Sequence, residues 1–395
     1  RGMFAFAIWD NHEQTLWLAR DRVGVKPLYY KVDKNKIFFA SEIKAILLDE
    51  TYKAKIDEES LFHYLSFLCS PSPNTMFDGI KKLDAGCWLS IDQKGKMVKK
   101  QYWDPIKNKE SFSKNKEDFN NVVYNQIKES VKLRSISDVE VGIFLSGGID
   151  SSTNASLFSE LSKKRVNTFS IGYDREYDSY KSELNYAKLV SQKIDSNHHE
   201  KILGKKDLIN ILEKMVYHQD EPISDPVCFP IYFVSKLAKD NGVKVCQVGE
   251  GADELFFGYT NWARTSRINN ILEKPFFISP IKRILKKIME ILSLDHKYSY
   301  DLLSRSIRKI PIFWSGAEAF SESEKFRIFS KEMKNKFKNK SSWEIIKPHF
   351  EFFNKNTRYK NIENWMTYID LKLRLPELLL MRIDKMSMAC GLEAR

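Results

Sequence analysis

Cysteine is scarce and scattered: the five in 395 residues, Cys69, Cys87, Cys228, Cys246 and Cys390, form no CxxC pair. Their spacing argues against a disulfide framework or a cysteine-held zinc site and makes a reducing cytoplasm the expected compartment. No window approaches the roughly 18–20 uninterrupted apolar residues of a membrane-spanning helix. The longest candidate, residues 276–294, is cut by Lys282, Arg283, Lys286 and Lys287. No signal peptide is expected from the first residues either. The chain begins at Arg1 and enters an apolar, strand-like run at once, and residues 391–395 carry no tail composition, so both ends read as cut from a longer protein. Disorder is excluded by a content of 43% hydrophobic and 13% aromatic residues, which is enough to build a core.

What is abundant is positive charge. The 64 Lys+Arg against 52 Asp+Glu give a formal net charge of +12, which invites a nucleic-acid or membrane partner. The excess is local, however: residues 261–360 hold 22 Lys+Arg and 10 Asp+Glu, and the rest of the chain is balanced. Basicity is therefore a property of that segment and says little about the rest of the chain. At about 100–200 residues per domain, the length suggests roughly two or three domains.

Along the chain the pattern changes once. Residues 3–103 are short runs of aromatic and β-branched residues separated by polar turns, interrupted by one amphipathic stretch over residues 58–67 with Leu61, Phe62, Leu65 and Leu68 on its apolar face. This predicts antiparallel sheet plus a helix. The polar stretch 107–118 (KNKESFSKNKED) reads as a linker. Beyond it, strands at 139–145, 166–171 and 243–248 alternate with helices at about 152–161, 182–194, 208–217 and 230–240. That alternation predicts a parallel sheet covered on both faces. Residues 260–360 are helical, aromatic and basic, with no fixed-period repeat.

The sharpest local signal is LSGGIDSS, residues 145–152, between a predicted strand and a predicted helix. Two glycines let the backbone approach an anion, a helix N-terminus adds positive partial charge, and three serines add donors. The Gly-Lys-Ser/Thr ending of a Walker A loop is missing. A plain serine-rich turn capping a helix would look similar, but Asp150 shifts the balance: a carboxylate inside an anion-binding loop is self-defeating unless a cation sits between it and the phosphate, which points to Mg²⁺-nucleotide binding. A second turn, GEGADE at 249–254, also follows a strand. In a parallel sheet both turns face one crevice, although Asp253 and Glu254 could simply favour a helix dipole. The last signal is RIDKMSMA at 382–389, helix-like, with Leu378, Met381 and Met388 on an apolar face. Lys385, taken alone, reads as a solvated surface group.

Together these residues resemble the glutamine-dependent asparagine synthetase family. The likeness rests on SGGIDSS (146–152), GEGADELFFGY (249–259) and DKMSMACGLEAR (384–395). GMFAFAIWD (2–10), RDRVGVKPLYY (20–30), ASEIKAIL (40–47) and DEPISDP (220–226) extend it, leaving only about 268–361 without a motif. The resemblance implies an α+β N-terminal remnant of an Ntn-type glutaminase sandwich (residues 1–106). After the linker at 107–118 it implies an α/β parallel-sheet ATP pyrophosphatase domain, adenine nucleotide α-hydrolase-like, with a helical C-terminal part (119–395). It further implies that ATP and Mg²⁺ activate an aspartate carboxylate as an acyl adenylate, and that glutamine-derived ammonia then displaces AMP. Ser146, Gly147, Gly148, Ser151 and Ser152 would cradle the pyrophosphate, and Asp150 and Asp253 would hold Mg²⁺. Phe144, Ile171, Val248 and Gly249 would line the adenosine site. Glu250 and Lys385 would be the catalytic groups, with Tyr259 nearby.

Two departures stand out. The family's N-terminal cysteine nucleophile and the glutamine-contacting residues upstream of GMFAFA are not in this chain, which as given should lack glutaminase activity. Val248 stands where a serine is frequent in the family. The expected partners are small molecules, namely ATP, glutamine or ammonia, and aspartate or another carboxylate, with a homodimer allowed and no nucleic acid. Within the same architecture the acceptor could instead be a sugar acid of a surface polysaccharide or a peptide. A nucleic-acid-modifying enzyme with an SGGxD loop, or a non-catalytic nucleotide-binding regulator, are readings from other classes. For His198, His199 and Glu200 a strand edge fits better than a metal site, and His218 falls in a predicted loop. The basic amphipathic stretch 280–294 could touch a membrane surface or a partner, with a solvated helix face as the preferred reading.

Overall fold

The computed structural model describes residues 2–33, 36–107, 115–175, 183–274 and 279–395. The N-terminal stretch comprises β1 (Ala5–Asp10), β2 (Thr15–Arg20), β3 (Tyr29–Asp33), β4 (Lys36–Ala40), α1 (Ile43–Ile46), α2 (Glu58–Phe67), β5 (Ile80–Lys82), β6 (Cys87–Asp92) and β7 (Met97–Gln101). Then come α3 (Lys116–Arg134), β8 (Val141–Phe144), α4 (Ile149–Leu161), β9 (Asn167–Tyr173), α5 (Leu184–Lys193), β10 (Asn197–Leu203), α6 (Lys205–Gln219), α7 (Cys228–Asp240) and β11 (Val245–Gln247). The basic segment contributes α8 (Ala252–Phe256), α9 (Thr260–Leu272), α10 (Ser279–Ile291), α11 (Tyr298–Ile307), α12 (Glu322–Ile328), α13 (Lys331–Phe337) and α14 (Trp343–Asn356). The chain ends with α15 (Ile362–Lys372), a π-helical turn (Leu375–Leu379), α16 (Leu380–Met388) and β12 (Glu393–Ala394). Most of the polar stretch 107–118 lies outside the described residues, and its last residues open α3.

The chain forms two compact units. The first holds Arg1–Asn108, Glu221–Ser224 and Gly251–Leu379, and the second Lys109–Asp220, Asp225–Glu250 and Leu380–Arg395. In the first unit, antiparallel sheets β1-β2-β6-β7 and β4-β3-β5 share a core of Leu16, Leu18, Leu28, Tyr30, Leu83 and Leu89. Leu16 and Leu18 are two apart in β2, the spacing that puts side chains on one face of a strand. A buried ion network lies in the same unit: Lys82 Nζ reaches Glu221 Oε1 at 3.0 Å and Glu377 Oε2 at 2.9 Å, and Glu221 Oε2 accepts from Met76 N at 2.9 Å.

Helix α2 spans the expected residues because Asp57 caps it, accepting from Ser60 N, and Leu68 ends it at φ +61°. Its buried face differs from expectation: Phe62, His63, Ser66 and Phe67 are buried, whereas Leu61 and Leu65 are half-buried. The reason is aromatic packing, with the Phe62 ring 5.0 Å from Phe337 and 6.0 Å from Phe329. His63 Nδ1 lies 3.0 Å from Ser342 Oγ, to which buried Lys325 donates at 2.9 Å. Burial, then the charges of Lys325 and Lys340, push His63 down to about 3. The unfolded chain takes up this proton near pH 6.5 and the folded chain does not, so stability falls as pH drops from there towards 3, by up to about 1.4 kcal/mol per pH unit. His63→Gln is expected to flatten that dependence, which urea midpoints at about pH 7 and about pH 5 will show.

The second unit is a five-stranded sheet ordered β10-β9-β8-β11-β12, parallel throughout. Side chains alternate as a doubly covered sheet requires. Val141, Ile143, Leu145 and Val245 enter the core with Ala155, Phe158 and Ala187, while Phe144 and Cys246 turn to the other face with Phe169, Val234 and Ala238. β12 had no signature in the sequence, because two residues are too short for a period. It pairs with Val245 and Cys246, so residues 380–395 rejoin the sheet unit instead of continuing the helical region. The five cysteines are unpaired. Among the described residues no helix is long and apolar enough to cross a membrane.

Candidate active site

Counting outward from β8, strand order runs to β9 and β10 on one side and to β11 and β12 on the other. The loops after β8 and β11 therefore leave neighbouring strands at the point where the order reverses, the place where open α/β sheets bind ligands. Loop 145–148 is shorter than the predicted turn, since α4 already begins at Ile149, with Gly148 as its N-cap and Asp150 in its first turn. The loop closes on itself through serines. Ser151 Oγ accepts from Ser146 N at 3.2 Å and lies 2.9 Å from Ser146 Oγ, and Ser146 Oγ accepts from Gly148 N at 3.3 Å. Ser170 Oγ donates to Leu145 O and ties the loop to β9. Gly147 sits at φ +90°, where a Cβ would stand 2.7 Å from Ala187 N and 2.8 Å from Glu183 O. Only glycine meets both demands.

A cavity of about 410 Å³ opens beside this loop, within the size range of small-molecule sites. Phe144, Ser146, Ser151, Ile171, Val248, Gly249 and Glu250 line it, together with Phe169, Tyr173, Pro226, Pro230 and Ile231. Its lining is thus largely apolar and aromatic, with the hydroxyls of a loop and helix start among it. Gly147, Gly148, Asp150 and Ser152 belong to the loop and helix start without lining the cavity, and Ser152 Oγ is buried with no hydrogen-bond partner among the described residues.

Glu250 is held from α16. Arg382 Nη2 donates to its carboxylate oxygens at 3.2 and 3.4 Å and its other Nη pairs with Asp225. Burial opposes the Arg382 charge, but Glu250 and Asp225 outweigh it and raise the pKa. One turn on, Lys385 is not the solvated group its helical setting suggests: it is 2% exposed and paired with Asp220, which caps the end of α6 at φ +64°. Arg382, Asp220 and Asp225 were not singled out from the sequence, because a charged residue on a helix or loop gives no sign of burial. Met381 is buried as expected, but Met388 is 49% exposed, since the helix ends there.

Asp253 and Tyr259 belong to the first unit. Asp253 lies in the first turn of α8, where Gly258 leaves room for its carboxylate, as a Cβ there would stand 1.8 Å from Oδ1. Tyr259 donates to Glu254 Oε1 at 2.7 Å and lies 4.3 Å beneath Arg374, so its hydroxyl serves a buried internal pair. Burial, then Glu254, raise its pKa. His198 and His199 lie on the edge strand β10, bonded to Thr168 and stacked on Phe169 respectively. His218 is in the last turn of α6, not a loop. Among the described residues no group of three or more His, Cys, Asp or Glu could hold a metal ion.

The asparagine synthase family model matches residues 123–395, and the glutamine amidotransferase domain model matches residues 1–103. The chain belongs to the asparagine synthase family. It is 34% identical over 402 residues to asparagine synthetase [glutamine-hydrolyzing] 1 of Bacillus subtilis, covering 100% of this chain and 60% of that protein. It is also 34% identical over 317 residues to the putative asparagine synthetase [glutamine-hydrolyzing] 2 of Methanocaldococcus jannaschii, covering 77% and 59%. The chain thus spans about 60% of the length of the curated relatives it matches. Among solved structures, a glutamine-dependent NAD+ synthetase from Acinetobacter baumannii in complex with ADP aligns over 90% of this chain and 80% of its own. Its identity of 11% and TM-score of 0.27 are too low to bear on fold or ligand.

Proposed function

We propose that the chain carries the synthetase centre of an ATP-dependent, amide-forming ligase that takes aspartate as acceptor and glutamine-derived ammonia as nitrogen donor. What carries this reading is the convergence on one cavity of seven residues from three stretches of sequence: Phe144, Ser146, Ser151, Ile171, Val248, Gly249 and Glu250. Phe144, Ile171, Val248 and Gly249 take the adenosine, and the loop residues Ser146, Gly147, Gly148, Ser151 and Ser152 take the pyrophosphate. A carboxylate oxygen of aspartate bonds to the α-phosphorus of ATP as the bond to the bridging oxygen breaks and pyrophosphate leaves. Ammonia then attacks the acyl carbon, AMP departs and the nitrogen gives up a proton. Lys385 opposes the charge that develops on the pyrophosphate or the tetrahedral carbon, and Arg382 fixes the orientation of Glu250.

A carboxylate in the first turn of the helix that follows a phosphate-type loop suits Mg²⁺, which takes one or two carboxylates plus phosphate oxygens. Asp150 would hold it, and when bound it supplies charge neutralisation at the phosphates. Asp150→Asn is expected to lower acceptor-dependent ATP–pyrophosphate exchange by about a hundredfold with an unchanged circular dichroism spectrum; unchanged exchange removes Asp150 from the site. Residues 1–106 are then the remaining part of an Ntn-type glutaminase, 107–118 its linker and 119–395 the synthetase. The deciding experiment supplies the full-length protein with ATP, ammonia and aspartate. Aspartate-dependent pyrophosphate release supports the asparagine reading, while release with a sugar acid or a peptide alone replaces the acceptor.

A further inference from the structure

Helix α10, Ser279–Ile291, buries none of its side chains. Ile281, Ile284, Leu285, Ile288 and Leu292 follow one another at the spacing of a single helix face and are between 37% and 61% exposed. A helix of a soluble domain ordinarily turns such a stripe to the core. Here the neighbouring side does that job: Met289 packs against the cluster of Leu272, Leu302, Leu303 and Ile312, Lys282 donates to Ser306 Oγ at 2.9 Å, and Lys286 Nζ lies 5.0 Å over the Tyr300 ring. The stripe therefore lies on a different side of the helix from the contacts that anchor it, and Arg283 and Lys287, both exposed, lie beyond its other edge.

We infer that this face docks on an anionic lipid surface. Charge complementarity selects that occupant, because the exposed charges beside the stripe are Arg283 and Lys287, within a segment of 22 Lys+Arg and 10 Asp+Glu. A second copy laid on the same face would bring two rows of Arg283 and Lys287 together, whereas acidic headgroups neutralise them while the isoleucines enter the acyl boundary. This inference is independent of the acceptor and of the synthetase reading.

The test is sedimentation of the full chain with vesicles of mixed phosphatidylcholine and phosphatidylglycerol, and with phosphatidylcholine alone. The protein is expected to pellet with the anionic vesicles only, to be released by raised salt, and to lose about tenfold or more in binding in the double variant Ile284→Glu, Ile288→Glu. Arg283→Glu with Lys287→Glu should weaken binding without touching the stripe. Circular dichroism confirms that each variant is folded. Absence of pelleting, equal binding by the isoleucine variant, or a concentration-dependent dimer that this variant dissolves would each overturn the inference, the last by assigning the face to a second copy.

Discussion

Lys385→Met is expected to lower acceptor-dependent ATP–pyrophosphate exchange by about a thousandfold, the upper range for one preorganised charge aimed at a developing anion. The substitution also takes a charged partner from Asp220, and both side chains of the pair are only 1% exposed. Removing one partner of a buried ion pair costs about 3–5 kcal/mol, so lost exchange alone would not separate chemistry from folding. The double variant Lys385→Met, Asp220→Asn does separate them, because it removes both charges of the pair and should recover most of the stability. Exchange should stay at the level of the single variant. Recovery of exchange along with stability would make Lys385 a packing residue. The φ of +64° at Asp220 belongs to the same picture: a non-glycine residue in that region costs about 1–3 kcal/mol and persists where its surroundings demand it, here at the carboxylate that holds the lysine.

The parts of this centre legible in the sequence are those whose signal is local. A hydrophobic run, a glycine pair and a serine cluster specify a strand, a tight turn and a helix start without reference to the rest of the chain, and residues 141–161 form that sequence of elements. Helix α2 was legible because apolar residues recur at helical spacing over residues 58–67, yet its buried face was not, because aromatic side chains some 270 residues later decide which way it turns. Arg382, Asp220 and Asp225 escape for the same reason: their pairing is a property of α16 lying against the ends of α6 and α7, separations of 157 and 165 residues. Position in the chain also misleads about membership. Glu221 belongs with Lys82 in the first unit, although Asp220 and Asp225 on either side belong to the second.

Gly147→Ala should be the most damaging single-methyl change in the loop, and Gly148→Ala one of the mildest. At Gly147 the added carbon meets Ala187 N at 2.7 Å and Glu183 O at 2.8 Å. Both are backbone atoms at the start of α5, so neither can swing aside as a flexible side chain would. Alanine at φ +90° adds strain of about 1–3 kcal/mol, and relieving the overlap by moving backbone costs a similar amount. The chain can lower that cost only by lifting the loop away from α5, which pulls Ser146 and Ser151 out of register. Nucleotide affinity should therefore fall by about a hundredfold, roughly the loss of two charge-assisted hydrogen bonds, alongside a clear drop in the thermal midpoint. Gly148 has φ −67°, an ordinary value for alanine, and its Cβ would lie 3.4 Å from the Ser146 hydroxyl. Its replacement should cost no more than the few tenths of a kcal/mol to about 1 kcal/mol typical of an N-cap change. Nucleotide titration by calorimetry beside thermal melts of the two variants checks the contrast. Equal losses at both positions would mean that the loop tolerates α5 at a greater distance and that its grip on phosphate does not depend on the close approach at Gly147.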